Sequence, residues 1–327
     1  MIPTLAADSA LLDCLRSLEE QTYRDFEVIV VDNSEKQLVE ALGVPGQNIR
    51  VIANQQNAGF GGAINQGWRA SASPFIATIN DDATAERDWL SVMMMAAAKD
   101  PEIGMVAAQV RLTVNELDSA GMLISGDGSS KQRGHGRPPS EFAREEDVLM
   151  PSGSAALYRR EMLEDTGAFA EEFFLYCEDT DLGLRARRRG WRCVYTPAAV
   201  VYHGYSRSAG RASALKAFLV ERNRLWLVLR NFPARMLWRV PFIALARYFW
   251  HVVCLLRGQG KTAEFAADGN GAGLPVLVLK AHLATLSHIP RLLAQRRAIE
   301  KKAYMTPRQF ERLLARHSIS PKQVAAL

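Results

Sequence analysis

An abrupt change from aromatic to acidic residues marks the stretch Gly167–His203 as the chemical centre of the chain. An aromatic run ends at Tyr176 and is followed by Glu178, Asp179 and Asp181 at the start of a predicted helix. Carboxylates beside apolar side chains are costly to keep charged, so each needs a cation, a hydrogen bond or a proton to share. The alternative is a solvated helix N-terminus, where the backbone dipole favours acids. That alternative accounts for Asp181 better than for the other two.

Other polar side chains follow apolar runs that are typical of buried strands. The run Phe26–Val31 leads into Asp32, the run Pro74–Ile79 leads into Asn80-Asp81-Asp82, and His203 ends a short β-rich run. Because ligands bind at the carboxyl ends of strands in open α/β sheets, one shared site explains these side chains better than separate surface positions. Taken alone, Asp32 is more typical of a strand-end cap, and His203 also fits a hydrogen-bonded core histidine.

The residue types indicate which chemistry such a site performs. Asn80, Asp81 and Asp82 offer oxygen ligands for a hard divalent cation, Mg²⁺ or Mn²⁺, and His203 can complete the shell. Asp179 is placed to accept a proton from an attacking hydroxyl. Glycosyl transfer and nucleotidyl transfer both use a divalent cation, a diphosphate leaving group and a carboxylate base.

The elements that position these residues alternate between strand and helix, which predicts an α/β domain with a largely parallel sheet. A glycine-rich turn from Asn57 to Gly67 enters a helix, where backbone amides can approach a phosphate or a sugar. The segment Gly121–Ser140 predicts a long loop. The arginines at 185 and 187–189 are more typical of a solvated helix face than of phosphate binding. Helices are also predicted over Ser9–Gln21 and Trp89–Lys99. Strands are also predicted over Ile49–Ala53, Ile103–Val110 and Met150–Arg160.

Charge divides the chain into two parts. Residues 1–204 contain 19 Lys and Arg against 30 Asp and Glu, a net charge of −11, whereas residues 205–327 contain 21 against 5, a net charge of +16. We therefore expect a catalytic domain over 1–212 and an amphipathic helical region over 213–327. The four dispersed cysteines and the absence of a signal-peptide pattern favour a cytoplasmic protein with reduced thiols.

The basic region combines arginine with aromatic residues. Its longest uncharged runs, Tyr248–Leu256 and Gly269–Leu279, fall short of the ~20 apolar residues that cross a bilayer. The mixture favours a helix lying in an anionic membrane surface, with packing against the α/β body as the alternative. Nucleic acid is disfavoured because no nucleic-acid-binding signature accompanies the charge. The aromatic residues and arginines concerned are Trp238, Phe242, Tyr248, Phe249, Trp250, Arg235, Arg239 and Arg247.

Several segments together resemble a family 2 glycosyltransferase of the GT-A fold, especially the bacterial rhamnosyltransferase-like group. The similarity extends over roughly residues 1–230, and the combination is specific although each piece alone is not. Asn80 stands where many relatives carry the first acid of an Asp-X-Asp motif. The segments are IPT, FEVIVVDNS, NAGFGGAINQG, NDDA, SGSAALYRRE, FFLYCEDTDLGLRARRRGW and VVYHG.

The resemblance implies a role for each matching residue. It implies a GT-A nucleotide-sugar-binding fold with a mostly parallel sheet, in which Asp179 is the catalytic base and Asp82 and His203 bind the metal. It also implies that Glu178 and Asp181 lie near the acceptor or support the base. The donor-binding residues it implies are Thr4, Asp32, Asn57, Gly59, Asn80 and Asp81.

The sequence therefore predicts a metal-dependent inverting glycosyltransferase. Its donor is a dTDP- or UDP-sugar, and rhamnose is the sugar that the resemblance favours. Its acceptor is a hydroxyl of a lipid-linked bacterial glycan, and its location is the cytoplasm or the inner face of the cell membrane. Two alternatives stay open, a nucleotidyltransferase that uses the same acids and a catalytically silent scaffold that binds sugar nucleotides. The stretch Pro3–Asp13 lacks the basic, glycine-rich triphosphate loop that a nucleotidyltransferase normally needs.

Overall fold

A computed structural model describes residues 1–43, 48–204, 213–267 and 273–327. The strands are β1 Ile2–Thr4, β2 Val28–Asp32, β3 Ile49–Ala53, β4 Phe75–Ile79, β5 Ala83–Ala85, β6 Ile103–Thr113, β7 Glu116–Ser119, β8 Met122–Ile124, β9 Ser130–Gln132, β10 Glu146–Asp147, β11 Ala155–Arg159 and β12 Arg192–His203. The α-helices are α1 Ser9–Glu19, α2 Leu38–Leu42, α3 Gly59–Ala70, α4 Trp89–Ala98, α5 Arg160–Thr166, α6 Glu178–Arg188, α7 Ala214–Asn231, α8 Val240–Leu256, α9 Gly260–Ala267, α10 Leu274–Leu286, α11 Ile289–Lys301, α12 Pro307–Arg316 and α13 Pro321–Ala326. Short 3₁₀ helices cover Pro139–Phe142, Glu171–Phe173 and Ala234–Arg239.

Most of the principal strands run in one direction. β1 pairs with β2 and β2 with β3 in parallel register, and β6 pairs with β12 in the same way. β11 lies between β4 and β6 and runs antiparallel to both. The amide of Ile79 donates to the carbonyl of Met1, which joins β4 to β1. The predicted largely parallel sheet is confirmed for the principal strands, among which β11 is reversed. The short strands β5, β7 and β10 also pair antiparallel with their neighbours.

The sheet buries both of its faces, because successive strand side chains point to opposite sides. In β6, Val106 and Ala108 pack in the cluster that includes α1 and α4. Met105 and Ala107 face the cluster that includes α3, α5 and α6. This double burial explains why the strand segments read as almost continuous apolar runs.

Predicted elements and observed elements agree except in a few places. Asp8 caps α1 by accepting from the amide of Ala10. The predicted long loop over Gly121–Ser140 is partly wrong, since it contains the paired strands β8 and β9. The short β-rich run that ends at His203 is part of a longer strand, β12, which contains a register shift between Thr196 and Val200.

The chain separates into two compact units. The first comprises Met1–Met122, Gln132–Arg187 and Trp191–Ser208, and the second comprises Leu123–Lys131, Arg188–Gly190 and Ala209–Leu327. The predicted boundary after residue 212 falls within 205–212, outside the described residues. The second unit contains α7 to α13, with α10 and α11 packed on α7 and α13 packed on α8.

One segment of the second unit is long and apolar enough to cross a membrane. Ala234–Leu256 forms 23 helical residues, and only 22% of its most apolar window is buried. The expectation that no stretch there reaches spanning length is therefore wrong by length and composition. That expectation counted uncharged runs, whereas a helix tolerates isolated arginines within an apolar stretch.

Candidate active site

The pairing of β5 with β12 brings Asp82 and His203 together. His203 lies opposite Ala83 in antiparallel register, and the amide of Gly204 donates to the carbonyl of Asp82 at 2.8 Å. As a result, His203 Nε2 lies 3.2 Å from Asp82 Oδ1 and 3.0 Å from Asn80 Nδ2. The two residues predicted as metal ligands are thus direct neighbours.

A carboxylate that the sequence analysis does not single out joins this group. Asp118 lies in β7 and is 2% exposed. Its Oδ2 is 3.1 Å from His203 Nδ1, and its Oδ1 is 3.2 Å from His135 Nδ1. A carboxylate on Nδ1 fixes the imidazole so that Nε2 faces the opposite side. The sequence gives no signal for Asp118, because it lies in a polar segment where no motif marks it.

Burial and charge act against each other within this group. Burial alone would lower the pKa of His203, but hydrogen bonds to Asp118 and Asp82 outweigh it and raise the pKa to about 9. Burial alone would raise the pKa of Asp118, but His135 and His203 lower it to about 2. In the absence of another cation, the imidazolium is therefore the positive charge that balances these acids.

Thr4 and Asp81, both predicted to bind the donor, are in contact with each other. Thr4 Oγ1 donates to Asp81 Oδ2 at 2.6 Å. Burial raises the pKa of Asp81 to about 6, and the hydrogen bond from Thr4 opposes that shift. The nearby charge of Asp82 raises the pKa further. Asp81 thus points toward β1, the strand that carries Thr4.

Asp179 lies in the first turn of α6 and accepts hydrogen bonds from neighbouring donors. Its Oδ2 accepts from the amide of Gly153 at 3.0 Å. Its Oδ1 accepts from the amide of Thr180 at 2.6 Å and from the Thr180 hydroxyl at 3.1 Å. Burial raises the pKa of Asp179, and these hydrogen bonds limit the rise. A carboxylate has about four acceptor positions, so it retains capacity for a further donor.

Glu178, the preceding residue, is a buried carboxyl group. It is 5% exposed, and its Oε2 has no hydrogen-bond partner among the described residues. Burial and the adjacent Asp179 raise the pKa of Glu178 well above its usual range. The two neighbouring acids therefore differ in their hydrogen bonding. Three donors stabilise the charged form of Asp179, whereas Glu178 Oε2 accepts no hydrogen bond from the described residues.

The backbone that leads into α6 is strained. Phe174, Tyr176 and Cys177 have φ values of 66°, 68° and 68°, a region that side chains other than glycine rarely adopt. The carbonyl of Phe174 accepts from the amide of Phe60 at 2.8 Å. A Cβ on Gly59 would lie 2.1 Å from that carbonyl oxygen. Strain of this kind concentrates at functional sites, where the surrounding structure holds it in place.

Asn57 and Gly59, predicted to lie in the donor-binding turn, shape this contact. Asn57 Oδ1 accepts from the amide of Gly59 at 2.8 Å, and Gly59 has a φ of 71°. Gly59 is therefore required here both by its left-handed conformation and by the close approach of Phe174. The structure brings the glycine-rich turn against the segment that presents Asp179.

The contacts of Asp32 are those of a cap at the end of a strand. It is 1% exposed, and its two carboxylate oxygens accept from the amides of Ser34 and Val39 at 2.8 and 2.9 Å. These bonds hold the turn between β2 and α2. A role for Asp32 in reading a nucleotide base stays a prediction.

Asp181 is a structural residue, and the arginines that follow it are not solvated as predicted. Asp181 Oδ2 pairs with Arg185 Nε at 2.7 Å, with side chains 0% and 4% exposed. Arg187 and Arg188 are 5% and 1% exposed. The prediction of a solvated helix face is therefore wrong for these three arginines. It failed because arginine can be buried when carboxylates or carbonyls accept its donors.

The turn Ser152–Ser154 connects the two halves of the site. Its Ser154 carbonyl accepts from the amide of Asn80 at 2.9 Å, and its Gly153 amide donates to Asp179. Thr78 Oγ1 also donates to the Gly153 carbonyl at 3.1 Å. The metal-ligand candidates and the base candidate thus lie on either side of one short turn.

The donor atoms present fit part of a divalent cation's coordination shell. Within the four described ranges, no group of three or more His, Cys, Asp and Glu side chains is arranged to hold a metal ion by itself. However, the 3.2 Å between Asp82 Oδ1 and His203 Nε2 suits two adjacent ligands of an ion with bonds of about 2.1 Å. Mg²⁺ is usually held by one or two carboxylates together with substrate phosphates and water rather than by an all-protein cage.

One family model and several known proteins match this chain. The family model described as "Glycosyltransferase like family 2" matches residues 1–226. The chain is 27% identical over 261 residues to the N-acetylglucosaminyl-diphospho-decaprenol L-rhamnosyltransferase of Mycobacterium tuberculosis H37Rv, covering 69% of this chain and 81% of that protein. It is 30% identical over 195 residues to the succinoglycan biosynthesis protein ExoO of Rhizobium meliloti, covering 54% and 52%.

The extent of the match differs between relatives. The chain is 30% identical over 225 residues to protein y4gI of Sinorhizobium fredii, which covers 64% of this chain but only 24% of that protein. The chain therefore spans about a quarter of that relative's length.

Two solved structures share the fold. GalNAc-T7 with UDP, GalNAc and Mn²⁺ gives a TM-score of 0.53 at 14% identity, covering 70% of this chain and 50% of that chain. The mannosyltransferase PcManGT of Pyrobaculum calidifontis, with GDP-Man and Mn²⁺, gives 0.52 at 17% identity, covering 99% and 84%. The predicted GT-A fold is confirmed.

Proposed function

Since the chain belongs to the family 2 glycosyltransferases, we propose that it transfers a sugar, with inversion, from a nucleotide-diphospho-sugar to a hydroxyl of a lipid-linked bacterial glycan. The observation that carries the proposal is the placement of Asp179 across the Ser152–Ser154 turn from Asn80 and its neighbours. Membership of this enzyme family favours sugar transfer over the two alternatives, a nucleotidyltransferase and a silent scaffold.

Asp179 is the proposed base. The acceptor oxygen attacks the anomeric carbon from the side opposite the leaving group, a new carbon–oxygen bond forms, and the bond to the nucleotide diphosphate breaks. The acceptor proton passes to Asp179, whose raised pKa brings its proton affinity closer to that of a general base working near neutral pH. Attack from the opposite side inverts the configuration of that carbon.

Asp82 and His203 are the proposed metal ligands, with Asn80 beside them. A divalent cation bound there would neutralise charge on the leaving diphosphate. Asp118 keeps the Nε2 of His203 facing Asp82 through its bond to Nδ1. Thr4 and Asp81 support the same region from β1 and the end of β4. We assign donor binding to these two residues together with Asn57, Gly59 and Asp32.

The acceptor and the sugar follow from the relatives. The name of the M. tuberculosis relative specifies a decaprenol-diphosphate-linked acceptor and L-rhamnose. We accordingly propose a lipid-linked acceptor, rhamnose as the sugar and a dTDP- or UDP-sugar as the donor. A protein with such an acceptor works in the cytoplasm at the inner face of the cell membrane. Glu178 supports Asp179 in this proposal, whereas Asp181 holds Arg185 through their buried ion pair.

Donor binding with and without Mn²⁺ tests the proposal. UDP-, dTDP- and GDP-sugars are titrated into the full chain by calorimetry, and one of them is expected to bind in a Mn²⁺-dependent manner. Asp82→Ala should abolish the Mn²⁺-dependent part. Asp118→Leu, which removes the carboxylate that His203 shares with His135, should weaken it by about 10- to 100-fold.

Asp13→Ala is the matched control, because Asp13 is an exposed acid of α1 paired with Arg16. It should bind donor like the parent protein. Failure of all three nucleotide sugars to bind, or parental Mn²⁺-dependent binding by Asp82→Ala, would contradict the metal assignment.

A further inference from the structure

Helix α8 has its charged side buried and its apolar side exposed. Val240, Ala244, Arg247 and Cys254 are its buried residues. On the opposite side, five large apolar residues of α8 and one of the preceding 3₁₀ helix Ala234–Arg239 are between 53% and 83% exposed, and we call these six residues the outer face. They are Trp238, Phe242, Leu245, Phe249, Val252 and Leu256. Their alternating spacing of four and three places them in one stripe along the helical segment.

Ion pairs fix this orientation. Arg247 Nε lies 2.7 Å from Asp127 Oδ2, and Arg247 Nη2 lies 2.9 Å from Glu221 Oε2. Arg224 pairs with the same Glu221, and its Nη1 donates to the Asp127 carbonyl at 2.6 Å. These four charged side chains are at most 8% exposed. Rotating α8 to hide its outer face would strip Arg247 of both carboxylates, so the apolar stripe stays outside.

A second helix of the same unit also exposes apolar side chains. In α10, Val276, Leu279, Leu283 and Leu286 are 53–58% exposed, again at helical spacing. Contiguous exposed apolar surface on a soluble protein marks a site of interaction with another protein or a membrane. Lys280 lies among these residues and is exposed.

Charge and aromatic content favour a lipid surface over a second protein. Residues 205–327 contain 21 Lys and Arg against 5 Asp and Glu, so an anionic surface is complementary. Arg239 has a 57% exposed side chain and lies over the Trp238 ring at 5.1 Å. Tryptophan and phenylalanine beside arginine are typical of helices lying in the membrane interface.

The same ion pairs argue against a helix that crosses the bilayer. Arg247 lies near the middle of Ala234–Leu256, and spanning would place it in hydrocarbon, where a charged side chain is costly. Lying flat, the 19 residues from Trp238 to Leu256 extend along roughly 27 Å of helix. The buried side then keeps its ion pairs while the outer face enters the lipid.

We propose that the outer face of α8 docks on the anionic leaflet of a lipid bilayer. The purpose of this docking rests on the proposed function, because a lipid-linked acceptor is presented at that leaflet. The docking itself is independent of catalysis and is measured separately. Arg247, which the sequence analysis grouped with the surface arginines, serves instead as the buried anchor of the helix.

Vesicle co-sedimentation of the full chain tests the docking. The chain should bind phosphatidylglycerol-containing vesicles more tightly than pure phosphatidylcholine vesicles, and the difference should shrink as salt is raised. The double substitution Phe242→Glu with Phe249→Glu should reduce binding to both by at least about tenfold, because each removes apolar burial and adds a charge. Arg239→Gln should weaken binding to anionic vesicles alone, by roughly fivefold for the lost charge.

Met95→Glu with Val114→Glu is the matched control, since both residues are 65–68% exposed apolar side chains of the first unit. It should bind vesicles like the parent. Parental binding by the Phe242/Phe249 variant, or no vesicle binding by the parent chain, would overturn the proposal. So would a parent dimer in light scattering that the Phe242/Phe249 variant abolishes, if vesicles do not bind. Donor binding by the same variants, measured with Mn²⁺, shows separately whether the proposed function holds.

Discussion

Buried carboxylates lie in both units, and their surroundings give them opposite properties. In the second unit, Arg224 and Arg247 overcome the burial of Glu221 and lower its pKa to about 2. In the first unit, Glu178 and Asp179 have raised pKa values because burial dominates, and the hydrogen bonds to Asp179 come from amides and a hydroxyl. Acids paired with arginine hold a structure together. Acids without that pairing keep the ability to take up a proton or meet a cation.

Asp179→Asn should produce the largest effect, and it tests the catalytic role of the acids that lack an arginine partner. The amide retains the shape of the side chain but cannot accept the proton of the acceptor hydroxyl. We expect turnover to fall by about 10²- to 10⁴-fold, with donor affinity preserved. Initial rates with saturating donor, together with calorimetric donor titrations, measure the two quantities.

Asp181→Asn serves as the contrasting variant two residues away. It breaks the buried pair with Arg185, so it should lower the midpoint of thermal unfolding instead of acting selectively on turnover. Equal turnover in Asp179→Asn and the parent protein would remove Asp179 from the role of base and make Glu178 the candidate.

Glu221→Gln tests how much the acids paired with arginine contribute to stability. The substitution leaves Arg224 and Arg247 buried with one fewer charge between them, and breaking a buried pair typically costs about 3–5 kcal/mol. Denaturant unfolding followed by circular dichroism measures the loss. Glu311→Gln is the control, because Glu311 pairs with Arg235 and Arg239 while 31% exposed. That exposed pair should contribute less than about 1 kcal/mol. Equal losses in the two variants would mean that burial does not distinguish these pairs.

The parts that sequence patterns predict well are those that depend on local chemistry. The strand Ile49–Ala53 has the predicted bounds, and the helix predicted over Trp89–Lys99 ends one residue earlier. Asp82 and His203 were both expected at strand ends, and the pairing of β5 with β12 brings them together. Apolar periodicity and strand-end position were sufficient for these.

The parts that the sequence did not predict depend on contacts between distant segments. Asp118 is 85 positions from His203, and nothing in its neighbours marks it as a partner. Arg247, like Arg239, lies among apolar and aromatic residues in the sequence, yet it is buried because Asp127, 120 positions earlier, faces it. Whether an arginine is solvated or paired is decided by tertiary structure, which no local pattern records.

The two kinds of carboxylate should also titrate in different pH ranges. Asp179 must be ionised to accept a proton, and its pKa is raised by burial, so the rate should fall on the acid side at a higher pH than an ordinary aspartate would give. Glu221 behaves oppositely. Its pKa is lowered from 4.5 to about 2 in the folded state, so its stabilising contribution is complete above pH 4.5 and is lost as the pH falls through about 2.

A folded but slow protein is therefore expected between these two transitions. The effect is the smallest of the three, because each pH unit below the pKa of the base reduces the rate by only about tenfold. Profiles of kcat/KM against pH, measured beside circular dichroism at the same pH values, locate the acid limb and the unfolding transition. Residual activity of Asp179→Asn should lack that limb, since the titrating group is gone. Loss of rate and loss of structure at one common pH would show that unfolding, not protonation of Asp179, limits activity in acid.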